Sequence, residues 1–344
     1  MIDISVVHVM PTAAVGYSAA ASDELGVAGL ISATRLAAAV LGVRLRTSVV
    51  MVGSEARVMG FGDLEVTILR NLSNSPDPQK SIPAELDSRL TGFDLVHIHQ
   101  GVSIFGEFVA ARALSLGIPY IVTDWGLASS RVMIFGGGFE LAAGVLSTSE
   151  SSRCSSNVRP FTATAVIVGP VHTAFSVPDP QVQRDPAMVL TAARSGDDPG
   201  IEKIMRAIPA GMSLVVLDSR YGEAAKLHMY RRAGVYVQSP EQNELCSDAT
   251  DRPDLLELIA LDALSTGAPL AVSSAGSLSG LVNDERLARS FSTSEGLTVL
   301  LEGVRDGMWP AVDHSARARR HAVDGFGYRS VGRKVIDFYL QVLR

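Results

Sequence analysis

Asp254 and Asp262 stand with seven residues between them on one amphipathic run, DLLELIALDALSTGAP, which leads into the apolar stretch APLAVSS. A carboxylate accepts two hydrogen bonds from a vicinal diol, and that is the chemistry these two residues offer. The same pair also reads as a helix-capping acid followed by a solvated one. Asp254 falls in the first turn, where the positive end of the helix dipole favours an acid. Asp251 can cap the start, Pro253 fits the first turn, and Gly267 stops the helix before Pro269. Arg194 follows directly on the buried run VLTAA, a costly place for a lone cation. Its partner is either a phosphate group or one of the nearby acids Asp197 and Asp198. His99 ends a strand at the carboxyl edge of a sheet, where doubly wound folds bind ligands, and it faces either a ligand or a loop carbonyl. His97 is assigned to the opposite strand face and a structural role. Gly26 and Gly29, in GVAG, open a helix whose free N–H groups can cradle a phosphate, although glycines punctuate loops everywhere. Gly136-Gly137-Gly138 has no strand leading into it and is read as a loop.

Positioning such residues requires buried strands. Short apolar runs at Ile4–Met10, Val49–Val52, Val66–Leu69, Asp94–His99, Tyr120–Thr123, Val145–Ser149 and Ala165–Val168 predict strands, with helices at Gly26–Leu41 and Val109–Leu116. Val177–Pro186, with three prolines and no apolar period, reads as a linker. The pattern then restarts, with strands at Met188–Ala192, Leu214–Leu217, Val235–Gln238 and Leu270–Ser273. Helices are predicted at Ile201–Ala207, Glu223–Arg232 and Asp254–Leu264, and an amphipathic helix over Val331–Leu343. Strand–helix alternation in both halves predicts an α/β protein with two parallel, doubly wound sheets.

Length and composition agree. A chain of 344 residues exceeds one typical core, and 47% hydrophobic with 19% charged residues describes a globular protein rich in buried sheet. A net charge of −6 gives no general pull toward nucleic acid. The basic run Arg317, Arg319, Arg320, His321, Arg329, Arg333 and Lys334 is either a solvated helix face or a contact for an anionic surface. Cys154 and Cys246 make no disulfide or metal framework, which fits a cytoplasmic protein. The N-terminus lacks a basic leader, and no apolar run approaches the ~18 residues of a membrane span.

Several segments, in order, resemble the retaining glycosyltransferases of GT-B fold. FDLVHIHQG resembles their D-h-V-H-x-H-G strand and LGIPYIVTDWG their G-I-P-h-h-h-T-x-H-G. VIVGPVHTAF, VLTAAR and AGVYVQSP resemble the entry to the linker, the strand ending in a donor-binding arginine, and A-D-h-h-h-x-P-S. Asp254 and Asp262 take the places of two signature glutamates, followed by ALSTGAP, and FGYRSVGRKVIDFYLQVL resembles the closing helix. There are departures. The diphosphate-clamping lysine falls at Pro199, with Lys203 one turn on. Trp125 replaces a histidine, and a strand–helix unit is missing between Leu217 and Tyr230.

The resemblance implies two Rossmann-like domains facing across a cleft. Residues 1–175 would form the acceptor side, with helix 325–344 packing back on them, and 187–318 the nucleotide-sugar side. It implies transfer of a sugar from a nucleotide-diphosphate donor with retention, without metal or other cofactor. His99, Arg194 and Asp254 would be catalytic, and Gly26, Gly29, Arg194, Lys203, Asp254 and Asp262 donor-binding, with Asp262 on the ribose diol. No Asp-x-Asp and no histidine cluster of metal-binding geometry is read in the sequence. The acceptor is a small molecule, glycan or lipid-linked sugar; nucleic acid is not expected. The alternatives are an inactive GT-B subunit that stabilises a partner enzyme, a nucleotide-sugar epimerase, and a transferase acting on a nucleic-acid base.

Overall fold

The computed structural model describes residues 2–11, 20–73, 75, 77, 80–99, 103–124, 140–147, 162–192, 199–218, 221–238, 254–274, 278 and 284–344. They form two compact units. The first holds residues up to Gly169 together with Val331–Arg344, and the second lies between Pro170 and Ser330.

In the first unit, eight strands make one sheet: β1 (Ile2–Val9), β2 (Val43–Gly53), β3 (Arg57–Phe61), β4 (Leu64–Arg70), β5 (Leu95–His99), β6 (Tyr120–Asp124), β7 (Gly144–Ser147) and β8 (Ala163–Val166). Their order is β3-β4-β2-β1-β5-β6-β7-β8, and every pair is parallel except β3 with β4. The strands bury both faces, as their continuous apolar runs demand. Alternate residues go to opposite sides. Ile4, Val6, Leu95, Ile121 and Leu146 pack with α1 (Ala20–Leu41) and with α9 (Tyr328–Val342), through its Val335, Ile336 and Tyr339. Val7, Val9, Val96, Ile98 and Val122 pack with α2 (Leu86–Leu90) and α3 (Ile104–Ser115). Helices α1 and α9 approach so closely that a Cβ on Gly332 would lie 1.9 Å from the Ala33 carbonyl oxygen. Ser103 starts α3 by accepting the Gly106 N–H at 2.9 Å.

In the second unit, β9 (Asp185–Ala192), β10 (Ser213–Leu217), β11 (Ala233–Val237), β12 (Leu270–Ser273) and β13 (Ala288–Phe291) form a wholly parallel sheet of order β10-β9-β11-β12-β13. Helices α4 (Pro199–Ala207) and α7 (Ser294–Arg305) cover one face through Ile204, Leu297 and Leu301. Helices α5 (Glu223–Arg232), α6 (Asp254–Ser265) and α8 (His314–Phe326) pack together on the other. Helix α6 stops where Gly267 takes φ +86°, with Gly267 N–H donating to the Leu264 carbonyl and Ala268 N–H to that of Ala263.

The α/β class with two parallel Rossmann-like sheets expected from the sequence is therefore what the chain forms. Among the described residues five elements were not legible: the hairpin strand β3, the short helix α2, the edge strand β13, and helices α7 and α8. Strand β3 is largely exposed, β13 is buried only at its two end residues, and neither has a continuous apolar run. One boundary needs correction. Helix α1 begins at Ala20, so Gly26 and Gly29 lie inside the helix, where backbone N–H groups bond to carbonyls one turn back. They do not open it, and the phosphate cradle expected of them loses its physical basis.

Candidate functional site

Each sheet reverses its strand order at one point. In the first, the chain runs outward from β1 through β2 to β4 and then returns to place β5 on the other side of β1. In the second, β10 and β11 flank β9 in the same way. The carboxyl ends of strands at such a switch are where open α/β sheets bind ligands.

At the first switch the strand ends carry histidines. His8 of β1 is paired in register with His97 of β5, and His99 lies two residues on. Residues two apart in a strand share a face, so His97 and His99 lie on the same side and not on opposite ones as the sequence reading had it. Their rings stack with centroids 4.2 Å apart. His8 Nδ1 and His99 Nε2 are 3.0 Å apart, one donating and the other accepting according to tautomer. His97 Nδ1 meets the Tyr339 hydroxyl of α9 at 2.7 Å and its Nε2 meets Thr123 Oγ1 of β6 at 2.6 Å. All three imidazoles are buried. Burial pushes the His8 pKa down to about 3. Burial, and then the neighbouring imidazoles, hold His97 and His99 well below the usual histidine range. The three rings are neutral at physiological pH. Sequence reasoning found His97 and His99 but missed His8. The signal was there: an isolated histidine near the end of the apolar run SVVHVM, on a strand that must pair with a neighbour.

In the second unit Asp262 lies on α6 and is partly buried. Ser176 donates its hydroxyl to Asp262 Oδ1 at 2.7 Å, and among the described residues none donates to Oδ2. The segment carrying Ser176 is itself fixed. Ser265 donates to the Ser176 carbonyl at 2.6 Å, and Arg319 donates to the same carbonyl at 2.9 Å and to Ser265 Oγ at 2.7 Å. Burial raises the Asp262 pKa from 3.8 to about 6. The Ser176 hydrogen bond works against this rise and Glu223 adds to it, while His172 and Lys226 lower it. Arg184 supplies a second anchor. Its guanidinium donates to the carbonyls of Tyr230, Ala233 and Thr266 at 2.6–3.0 Å, at the ends of α5 and α6, where a cation suits the helix dipole. Burial lowers its pKa to about 10.

The remaining expected residues are distributed as follows. Arg194 lies outside the described residues, as do Asp251 and Pro253. Asp254 is the first residue of α6, and its side chain is outside the described set. Lys203 is exposed on α4, across the second sheet from the helix of Asp262. At the second switch point, immediately after β11, Gln238 is buried with its Oε1 unpartnered among the described residues, a position that no sequence pattern singles out. Part of the basic run is committed internally: Arg317 pairs with Asp313, and Arg319 holds the Ser176 segment.

No protein-family model matches the sequence, and no curated protein matches it either. Solved structures do. Sucrose-phosphate synthase from Thermosynechococcus elongatus superposes with a TM-score of 0.68 at 16% identity, covering 98% of this chain and 99% of that one. HepE from Anabaena, solved in complex with UDP, gives 0.68 at 12% identity over 98% and 100%. The catalytic domain of starch synthase IV from Arabidopsis thaliana, bound to ADP and acarbose, gives 0.63 at 12% identity over 99% of each chain. The fold is GT-B. At these identities the likeness establishes GT-B architecture, and the chemistry rests on the site itself.

Proposed function

We propose that this chain is a glycosyltransferase that takes a sugar from a nucleotide-diphosphate donor and passes it to an acceptor with retention of configuration. The observation that carries the reading is the Asp262 carboxylate. It stands on α6 of the second Rossmann-like unit, with one oxygen fixed by Ser176 and the other open to a donor hydroxyl. In this reading Asp262 accepts hydrogen bonds from the ribose diol and Asp254 contacts hydroxyls of the transferred sugar. Arg194, with Lys203 in support, faces the diphosphate. The leaving diphosphate takes the acceptor's proton while cationic groups and helix N-termini stabilise its growing charge, so no enzyme base is required. GT-B neighbours solved with UDP and with ADP support a nucleotide-sugar partner.

The second reading is an inactive subunit that binds or stabilises a partner glycosyltransferase. It is favoured by Pro199, which opens α4 where the resemblance places a lysine, and by the exposure of Lys203. A melting screen with nucleoside diphosphates and their sugars separates the two. A bound ligand at a hundred times its Kd stabilises by about 2.7 kcal/mol, and an inert fold shows no shift. If a donor is found, the anomeric configuration of the product, read by proton NMR, decides retention.

A further inference from the structure

Most polar groups in the first sheet serve hydrogen bonding. The three histidines go further, because each offers a ring nitrogen, and these nitrogens lie within 4.8 Å of one another. We propose that His8, His97 and His99 form a binding site for a borderline transition-metal ion, with Zn2+ as the type, on the first sheet.

The geometry is close to what such an ion needs. Zinc–imidazole bonds of about 2.0–2.1 Å put tetrahedral ligand nitrogens roughly 3.3 Å apart. His8 Nδ1 and His99 Nε2 already stand at 3.0 Å, so the ion needs only a small spreading of this pair and a turn of the His97 ring. Turning is provided for. His97 has a hydroxyl on each nitrogen, Tyr339 on Nδ1 and Thr123 on Nε2. With Nε2 turned to the ion, Nδ1 keeps the Tyr339 hydroxyl as the oxygen partner that fixes the ring, the usual outer-shell arrangement of metal-bound histidine. The carriers are rigid, since β1 and β5 are adjacent, hydrogen-bonded strands.

The donor set also fixes the class of ion. Three imidazoles without a carboxylate suit Zn2+, Co2+, Ni2+ or Cu2+ and are poor for Mg2+ and Ca2+, which require oxygen. One of the two facing nitrogens of His8 and His99 carries the proton of their mutual hydrogen bond, and a change of tautomer that moves it to the other nitrogen of that ring frees both lone pairs for the ion. Mutual hydrogen bonding accounts for the pair His8–His99, but it does not explain why three of the chain's seven histidines occupy one apolar sheet face that Val or Ile would fill at lower cost. The resemblance covers His97 and His99 only; His8 completes the set.

The test is metal binding to the full chain, independent of any transfer activity. Protein stripped with a chelator and shown folded by circular dichroism is titrated with Co2+, then with Zn2+. The site predicts one Co2+ per chain with the ligand-field absorption of a four-coordinate ion held by three imidazoles and a water, displaced by Zn2+. His8→Asn should weaken Co2+ binding at least a hundredfold. Tyr339→Phe, which retains ring packing, should weaken it about tenfold. Substoichiometric uptake by folded wild-type protein overturns the proposal. So does stoichiometric binding left unchanged by both substitutions, which would place the ion on exposed histidines such as His172 or His228. If His8→Asn does not fold, the wild-type spectrum and Tyr339→Phe decide.

Discussion

The Tyr339 hydroxyl lies 2.7 Å from His97 Nδ1, joining two fully buried residues 242 positions apart in the sequence. Tyr339 meets the His97 ring edge-on, with centroids 5.7 Å apart at 86°. Its phenol is held neutral by burial, with its pKa pushed well above the usual tyrosine value. The last helix is thereby keyed to the strand that carries His99.

That contact has a measurable stability. Tyr339→Phe leaves one buried His97 nitrogen without its partner, and such an orphan costs about 1–3 kcal/mol. Urea denaturation of the metal-free variant should show a loss of that size. A loss under about 0.5 kcal/mol would mean that His97 finds another partner readily.

Gly332→Ala should be destabilising by about 1–3 kcal/mol or more. The new methyl would stand 1.9 Å from the Ala33 carbonyl oxygen, a backbone atom of the opposing helix, so relief requires α1 and α9 to separate. Gly325→Ala is the control, since a Cβ there meets nothing within 4 Å. Equal melting temperatures for the two variants would refute the close helix contact.

The raised pKa of Asp262 makes stability fall with pH over a defined window. The folded state holds the proton up to about pH 6 while the unfolded chain releases it near 3.8. Between these values the native form binds more protons, so stability declines as pH rises from about 4 and levels off above about 6. The full effect is at most about 3 kcal/mol, because Asp262 keeps some contact with solvent. Asp262→Asn should flatten this slope. An identical slope in the variant assigns it to other groups.

The same carboxylate should control donor affinity if it holds the ribose. Asp262→Asn keeps one acceptor and loses the charge, which should weaken the best nucleoside diphosphate about tenfold by calorimetry. Wild-type affinity should also fall below pH ~6 as Asp262 takes up its proton. Asp254→Asn should spare that affinity and lower turnover with the intact donor. Loss of its helix-dipole interaction costs up to about 1 kcal/mol, to be followed by melting temperature. Unchanged nucleotide affinity in the Asp262 variant would leave the acid as a helix-face residue with no ligand role.

What was legible in the sequence follows from where side chains are buried. Central strands β1, β5, β6, β9 and β11 are covered on both faces and announce themselves as apolar runs. The termination of α6 was equally plain, because Gly267 is the residue that tolerates the left-handed turn ahead of Pro269. Strand β3 was invisible because it lies on the sheet edge with every residue exposed or half-exposed. The start of α1 was misplaced because glycine marks loops more often than helix interiors. The histidine cluster needed strand register: His8 meets His97 only once β5 is known to insert beside β1, a pairing that spans 89 residues of chain and leaves no local trace. The carboxylate on α6 was found by spacing, but Ser176, which orients it, lies 86 residues earlier.

The last helix also bears on biosynthesis. The first unit is discontinuous in the chain, since the face of its sheet lined by Ile4, Val6 and Leu95 is closed by Val335, Ile336 and Tyr339. A ribosome making this protein therefore leaves the part of the sheet face under α9 uncovered until that helix emerges, while the whole second unit is being synthesised. Cutting the gene after Gly169 would leave the α9 side of that face open to water.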